Sequence, residues 1–169
     1  MKITSDTKVA EVLPLLNEER FSLIVDAVEP YLLPKPLTAM TCAEFIEALD
    51  EKYAMRFLER SERVVVAFGR YKEFLKQMQD ITTYLKQYEV EQDADEKAAA
   101  QGVKFPSMQE RILLDCIRFY HLHSPDEAER LPVAAWLLCV KSEGTAAQYQ
   151  RKLSKIRQNK PAWKTLKSK

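Results

Sequence analysis

At 169 residues with 46% apolar composition, the chain is long enough to bury a core without disulfide or metal help and too apolar for wholesale disorder. Its three glycines, Gly69, Gly102 and Gly144, are too few for the tight turns of a β-sandwich or barrel, so helices are expected. The net charge of +1 hides a separation: no acidic residue follows Glu143, eight basic residues lie in 144–169, and the body therefore carries −7 against +8 for the tail.

The N-terminus, Met1-Lys2-Ile3-Thr4-Ser5-Asp6, turns polar at once, so no signal-peptide core is expected there. Residues 1–17 read as a short helix capped by Asp6 or Thr7, with Val9, Val12, Leu13 and Leu16 at helical spacing. Pro14 opposes it by removing an amide donor. A second helix is expected over 18–29, with Phe21, Ile24, Val28 and Tyr31 along one face. Pro30, Pro34 and Pro36 then predict an extended linker over 30–40.

Thr41-Cys42-Ala43-Glu44 has the capping-box pattern, and Phe45, Leu49 and Tyr53 line the helix it opens. Over 61–68, Val64-Val65-Val66 favours strand by propensity, but the apolar spacing on both sides favours helix. Phe68, Tyr71, Leu75, Met78, Ile81, Leu85 and Tyr88 continue in threes and fours, as in a helical hairpin or short coiled coil. The chain then turns acidic at Glu89, Glu91, Asp93, Asp95 and Glu96, and Gly102 suits a helix stop.

Ser107-Met108-Gln109-Glu110 and Ser124-Pro125-Asp126-Glu127 start two further helices, the second with proline at its favoured first position. Pro132 restarts the chain into a helix bearing Trp136, Leu137, Cys139 and Val140. It continues past Gly144 as a basic amphipathic helix with Ala146, Tyr149, Leu153 and Ile156. The longest apolar stretch, 131–140, falls well short of a membrane span.

The expected fold is all-α: a helical bundle with a long central helix or helical hairpin, and a C-terminal helical module ending in a basic helix. Its parts are an N-terminal helical segment with a proline-rich linker (1–36), a long helical region (37–102), a C-terminal module (103–157) and a flexible basic tail (158–169), together one compact domain. Phe68, Leu75, Met78, Ile112, Cys116, Trp136 and Leu137 are the expected core.

Three chemistries bear on the cysteines, histidines and loops of the chain. Cys116, His121, His123 and Cys139 suggest zinc, but His121 and His123 would point about 200° apart on a helix, and no Cys-x-x-Cys pattern accompanies them. The plainer reading makes the cysteines small core residues and the histidines a helix C-terminus, so no metal and no cofactor is expected. A Cys116–histidine dyad lacks a glycine turn for an oxyanion, and no phosphate loop or dinucleotide fingerprint occurs, so no enzyme is expected. The odd, scattered cysteines Cys42, Cys116 and Cys139 fit reduced thiols in a cytoplasm.

The basic tail is the strongest local signal. Arg151, Lys152, Lys155, Arg157, Lys160, Lys164 and Lys167 can meet an acidic partner or nucleic-acid phosphates, and Trp163 can stack on a base. No reading element accompanies it, which favours protein over nucleic acid. The partner is then another protein or a second copy of the chain, with no membrane involved.

Two stretches carry a resemblance. Ile3 to Leu13 resembles the opening of several small bacterial helical domains. The order of Leu37-Thr38-Ala39-Met40-Thr41-Cys42-Ala43-Glu44-Phe45-Ile46, a long charged helix, Ala100-Gln101-Gly102-Val103-Lys104-Phe105-Pro106, Asp126-Glu127-Ala128-Glu129-Arg130-Leu131-Pro132-Val133 and a basic Tyr149-Gln150-Arg151-Lys152-Leu153 helix resembles small phage and prophage morphogenesis proteins, among them tail assembly chaperones. The resemblance spans about residues 37–156 and lies in layout. It implies a non-catalytic assembly factor in a bacterial host cytoplasm, with phage tail components as partners or as the particle it joins.

Overall fold

The computed structural model describes residues 6–12, 14, 17–50, 62–90, 92 and 94–158. Among these the chain is all-α. Its eight helices are α1 (Val9–Val12), α2 (Glu18–Ala27), α3 (Cys42–Ala48), α4 (Val64–Tyr88), α5 (Ala94–Ala99), α6 (Met108–Tyr120), α7 (Pro125–Glu129) and α8 (Val133–Gln158). β-Structure among the described residues is confined to two isolated bridges, Lys8–Arg63 and Thr41–Pro132.

Capping chemistry sets the starts of four of these helices. Thr41 accepts from the Glu44 amide at 3.2 Å, and the Glu44 carboxylate accepts from the Thr41 amide at 2.7 Å. Ser107 and Glu110 make the same reciprocal pair at the start of α6. At α7 the Ser124 side chain accepts from the Glu127 amide, but the Glu127 carboxylate takes the amide of His123 instead of closing the box. Asn17 caps α2 by accepting from the Arg20 amide at 2.8 Å. The helix α1 begins at Val9, later than a cap at Asp6 or Thr7 requires. Gly102, past the end of α5, takes a positive φ of 80°, as a helix-stop glycine does.

The central helix α4 runs unbroken for 25 residues, so the hairpin alternative gives way to one long helix. Its three leading valines adopt helix because tertiary contacts override strand propensity. The Val64 amide donates to the Thr7 carbonyl at 2.8 Å, the Val9 amide donates to that of Glu62 at 2.9 Å, and Val64 is fully buried.

Two apolar clusters share α4. Val9, Val12, Ile24, Val25 and Val28 pack on Val64, Ala67 and Phe68 near its start. The larger cluster joins Leu37, Cys42 and Phe45 to Phe74, Ile81, Ile112, Cys116, Trp136 and Cys139. Phe68 and Phe74 point about 120° apart on the helix, so the two clusters use different sides of it. Leu75 continues the Phe68 side into the stretch beyond α2. It is 42% exposed, against the expectation of a core residue. Met78 and Leu137 are only half-buried, whereas Phe68, Ile112, Cys116 and Trp136 are fully buried as expected.

Two glycines let backbones cross. The linker after α2 lies over Gly69, where the Tyr31 amide donates to the Gly69 carbonyl at 2.9 Å. A Cβ on Gly69 would stand 2.7 Å from the Glu29 carbonyl oxygen. At Gly144, α8 crosses the last residue of α4. Elsewhere, the Cys42 amide donates to the Leu131 carbonyl at 2.7 Å and the Val133 amide to that of Met40 at 2.8 Å, which ties the starts of α3 and α8 together. No described helix is long and apolar enough to cross a membrane.

Candidate interaction surface on the last helix

The first half of α8 behaves as a core helix. Val133, Trp136 and Cys139 are buried, with Leu137 and Val140 partly so. Beyond Gly144 the inward side changes character. Gln148 donates to the Gln87 carbonyl at 3.0 Å, and Arg151 pairs with Glu96 of α5. Small and polar side chains are needed there because that side meets the backbone end of α4.

The apolar residues Tyr149 and Ile156 of this half therefore point elsewhere, in line with Leu138 of the first half. Leu138, Tyr149 and Ile156 are 52%, 61% and 58% exposed. At 100° per residue they fall within about 20° of one line along the helix, roughly opposite Trp136. Leu153, half-buried, lies about 50° to one side. Lys152, exposed, borders the line on the other side, with Lys155 one turn from it, while Arg157, also exposed, stands about a quarter turn away beyond Leu153. Ile156 thus has the spacing of a core residue without the burial.

Of the basic residues read from the sequence, Arg151 is engaged with Glu96, while Lys152, Lys155 and Arg157 are exposed on the same helix. Lys160, Trp163, Lys164 and Lys167, with the rest of the 158–169 tail after Gln158, lie outside the described residues. Sequence reasoning missed Leu138. It lies 11 residues before Tyr149 and 18 before Ile156, about three and five whole turns, and that register was the available signal.

A second open patch runs along α6. Val103, Phe105, Met108 and Leu114 are each 40–63% exposed. Phe105, Pro106, Leu114 and Ile117 line a shallow groove beside Arg111 and Arg118. At its floor lies Asp115, which accepts from the Trp136 indole at 3.3 Å. Arg111 and Arg118 approach Asp115 to 3.7 Å, and Arg118 pairs with Glu143 at 2.7 Å. Burial raises the Asp115 carboxyl above its ordinary range, against the opposing Trp136 hydrogen bond and arginine charges. The arrangement fastens α6 to α8.

The residues weighed for zinc are separated. Cys116 and Cys139 are buried in the large cluster with Cys42. His121, the left-handed cap of α6 with φ 54°, and His123 are exposed. Among the described residues no group of three or more His, Cys, Asp or Glu side chains is arranged to hold a metal.

No family model matches the chain, and no curated protein or solved structure matches it significantly.

Proposed function

We propose that this chain is a non-catalytic protein-binding factor and that the outward face of α8 is its docking element. The observation that carries the reading is the uncovered line of Leu138, Tyr149 and Ile156, bordered by Lys152, with Lys155 and Arg157 exposed on the same half of the helix. An amphipathic helix whose apolar side faces outward suits a groove on a partner, and flanking cations select an acidic rim. At a finer level the layout supports an assembly factor of the phage or prophage tail-morphogenesis kind, working in a host cytoplasm, as a chaperone for an unassembled component or as part of the particle. Covering a partner's apolar surface needs no reaction, and no catalytic residue, metal or cofactor is assigned.

The competing reading is a nucleic-acid accessory protein, supported by the same exposed Lys152, Lys155 and Arg157 with Tyr149 as a stacking ring. Capture from the producing cell separates the two. A protein retained by the intact chain, lost on Tyr149→Ser with Ile156→Ser and indifferent to nuclease, is the expected result. Retention that nuclease abolishes, or a gel shift with DNA or RNA that weakens steeply with salt, would replace this reading with the other.

A further inference from the structure

We propose that the α8 face docks on a second copy of this chain, head to tail, against the outer face of α2. The proposal rests on the reading of α8 as a docking element and names its partner.

The complementary face is on the same molecule. On α2, Phe21, Ile24 and Val25 turn inward, and Leu23 is left 61% exposed on the opposite side. Glu19 and Asp26 stand one turn before and after Leu23, both exposed. The chain leaving α2 adds Glu29, Tyr31 at 49% and Leu32 at 84% exposure. Glu19 and Asp26 lie on one side of Leu23, and Arg20, the one cation on this helix, borders it on the other, with Lys72 of α4 donating to the Asp26 and Val28 carbonyls. Exposed apolar residues on a segment where Glu18, Glu19, Asp26 and Glu29 outnumber Arg20 thus face exposed apolar residues on a helix half that carries only cations, Lys152 being nearest the line.

Both faces are open in the single chain, so the contact joins copies. They also sit on different halves of α4. Phe21 of α2 packs on Phe68 and Tyr71, with ring centroids 5.2 and 5.4 Å apart, whereas α8 is bonded to Gln87. The 16 residues between Tyr71 and Gln87 span about 24 Å of helix. Pairing α8 with α8 would set Lys152, Lys155 and Arg157 of one copy against those of another, which like charge opposes. A face on one half meeting a different face on the other half makes a heterologous contact, which extends into a filament or closes into a ring. The −7 body and +8 tail favour the same polarity over longer range.

Sedimentation velocity of the full chain with charge-reversed pairs tests this. All four substituted positions are exposed, and circular dichroism checks that each variant folds. At about 100 μM, where a micromolar contact is nearly saturated, the unsubstituted chain should self-associate. The association should weaken between about 0.1 and 1 M salt, as the Debye length falls from about 10 to about 3 Å. Lys152→Glu with Arg157→Glu, or Glu19→Lys with Asp26→Lys, should each weaken it at least tenfold, because like charges then meet across the contact (about 1.4 kcal/mol per factor of ten). Mixing the two variants should restore it, since every contact between one variant and the other again pairs opposite charges. A monomer under these conditions, or loss without restoration on mixing, overturns the second copy as partner. Capture of a different protein through Tyr149 and Ile156 would then still uphold the α8 docking reading.

Discussion

Replacing Gly144 with alanine sets two effects of opposite sign against each other. Inside a helix, alanine is normally better than glycine by about 1 kcal/mol. At this position the added Cβ would stand 2.6 Å from both the Cβ and the carbonyl oxygen of Tyr88, and 3.2 Å from its Cα. Carbon atoms in favourable contact sit about 3.5–4.0 Å apart, so the crossing must open by about 1 Å. The obstructing atoms belong to backbone or stand next to it, so no rotamer change relieves them. Overpacking of this kind costs about 1–3 kcal/mol. The shift would also strain the Gln148 bond to Gln87 and the Arg151–Glu96 pair that lie just beyond. Net destabilisation of about 1 kcal/mol is expected, with the steric cost exceeding the propensity gain. Urea unfolding followed by circular dichroism measures it, with an unchanged slope showing that the same surface is exposed. Ser142→Ala, on the exposed side of the same helix, is the control and should be neutral or slightly stabilising. A Gly144→Ala chain stabilised like the control would refute the close crossing and the orientation of α8 that follows from it.

Trp136→Ala should cost about 3–5 kcal/mol as a fully buried indole, and near-native stability would remove it from the core. Because the folded chain holds the Asp115 proton more tightly than the unfolded chain does, stability from this group is fullest below the unfolded carboxylate range and falls as pH rises through the raised folded value. Asp115→Asn should flatten that slope and leave stability at pH 7 equal or higher; a clear loss would show that the arginines need the charge. Glu44 and Glu110 have the opposite sign. The Lys35 hydrogen bond for Glu44 and the Ser107 amide for Glu110 hold their carboxyls below the usual range, so their contribution is present above the unfolded range and lost as pH falls through the lowered values. Glu110→Gln should remove its share of the acid-side loss in a pH titration of stability. Cys139, pushed up to about 12 by burial, and Cys116, raised by its contact with Cys42 and by burial, should resist an alkylating reagent at pH 8 until urea unfolds the chain; rapid labelling of the native chain would contradict the packing.

Much of the fold was legible because its signals are local. Thr41 with Glu44, Ser107 with Glu110, and Ser124 with Glu127 each satisfy amides within three residues, so their chemistry is visible in sequence. Asn17 was not, because it falls at the end of the expected first helix, where its role as the cap of the second went unread although the break before residue 18 was expected. Leu75 has the same spacing as Phe68, but which turn of α4 is covered depends on where α2 ends, and that is set by packing. The basic half of α8 gave its amphipathicity to the sequence but not its direction. Periodicity names an apolar side; it does not say whether anything lies against it. Here Gly144, Gln148 and Arg151 take the inward side because the end of α4 comes too close for larger apolar groups, and the stripe that resembles a core face points outward.

On the proposed function, this outward stripe, and not merely the basic charge, engages a protein. A photo-reactive amino acid placed singly at positions 138, 149, 150, 153, 154 and 156 of the full chain, and irradiated in the producing cell, tests it with helical resolution. The account predicts protein adducts at 138, 149 and 156, fewer at 153, and none at 150 and 154, which point away from the line by about 100° or more. Adducts at every position, or adducts that nuclease digests, would contradict it.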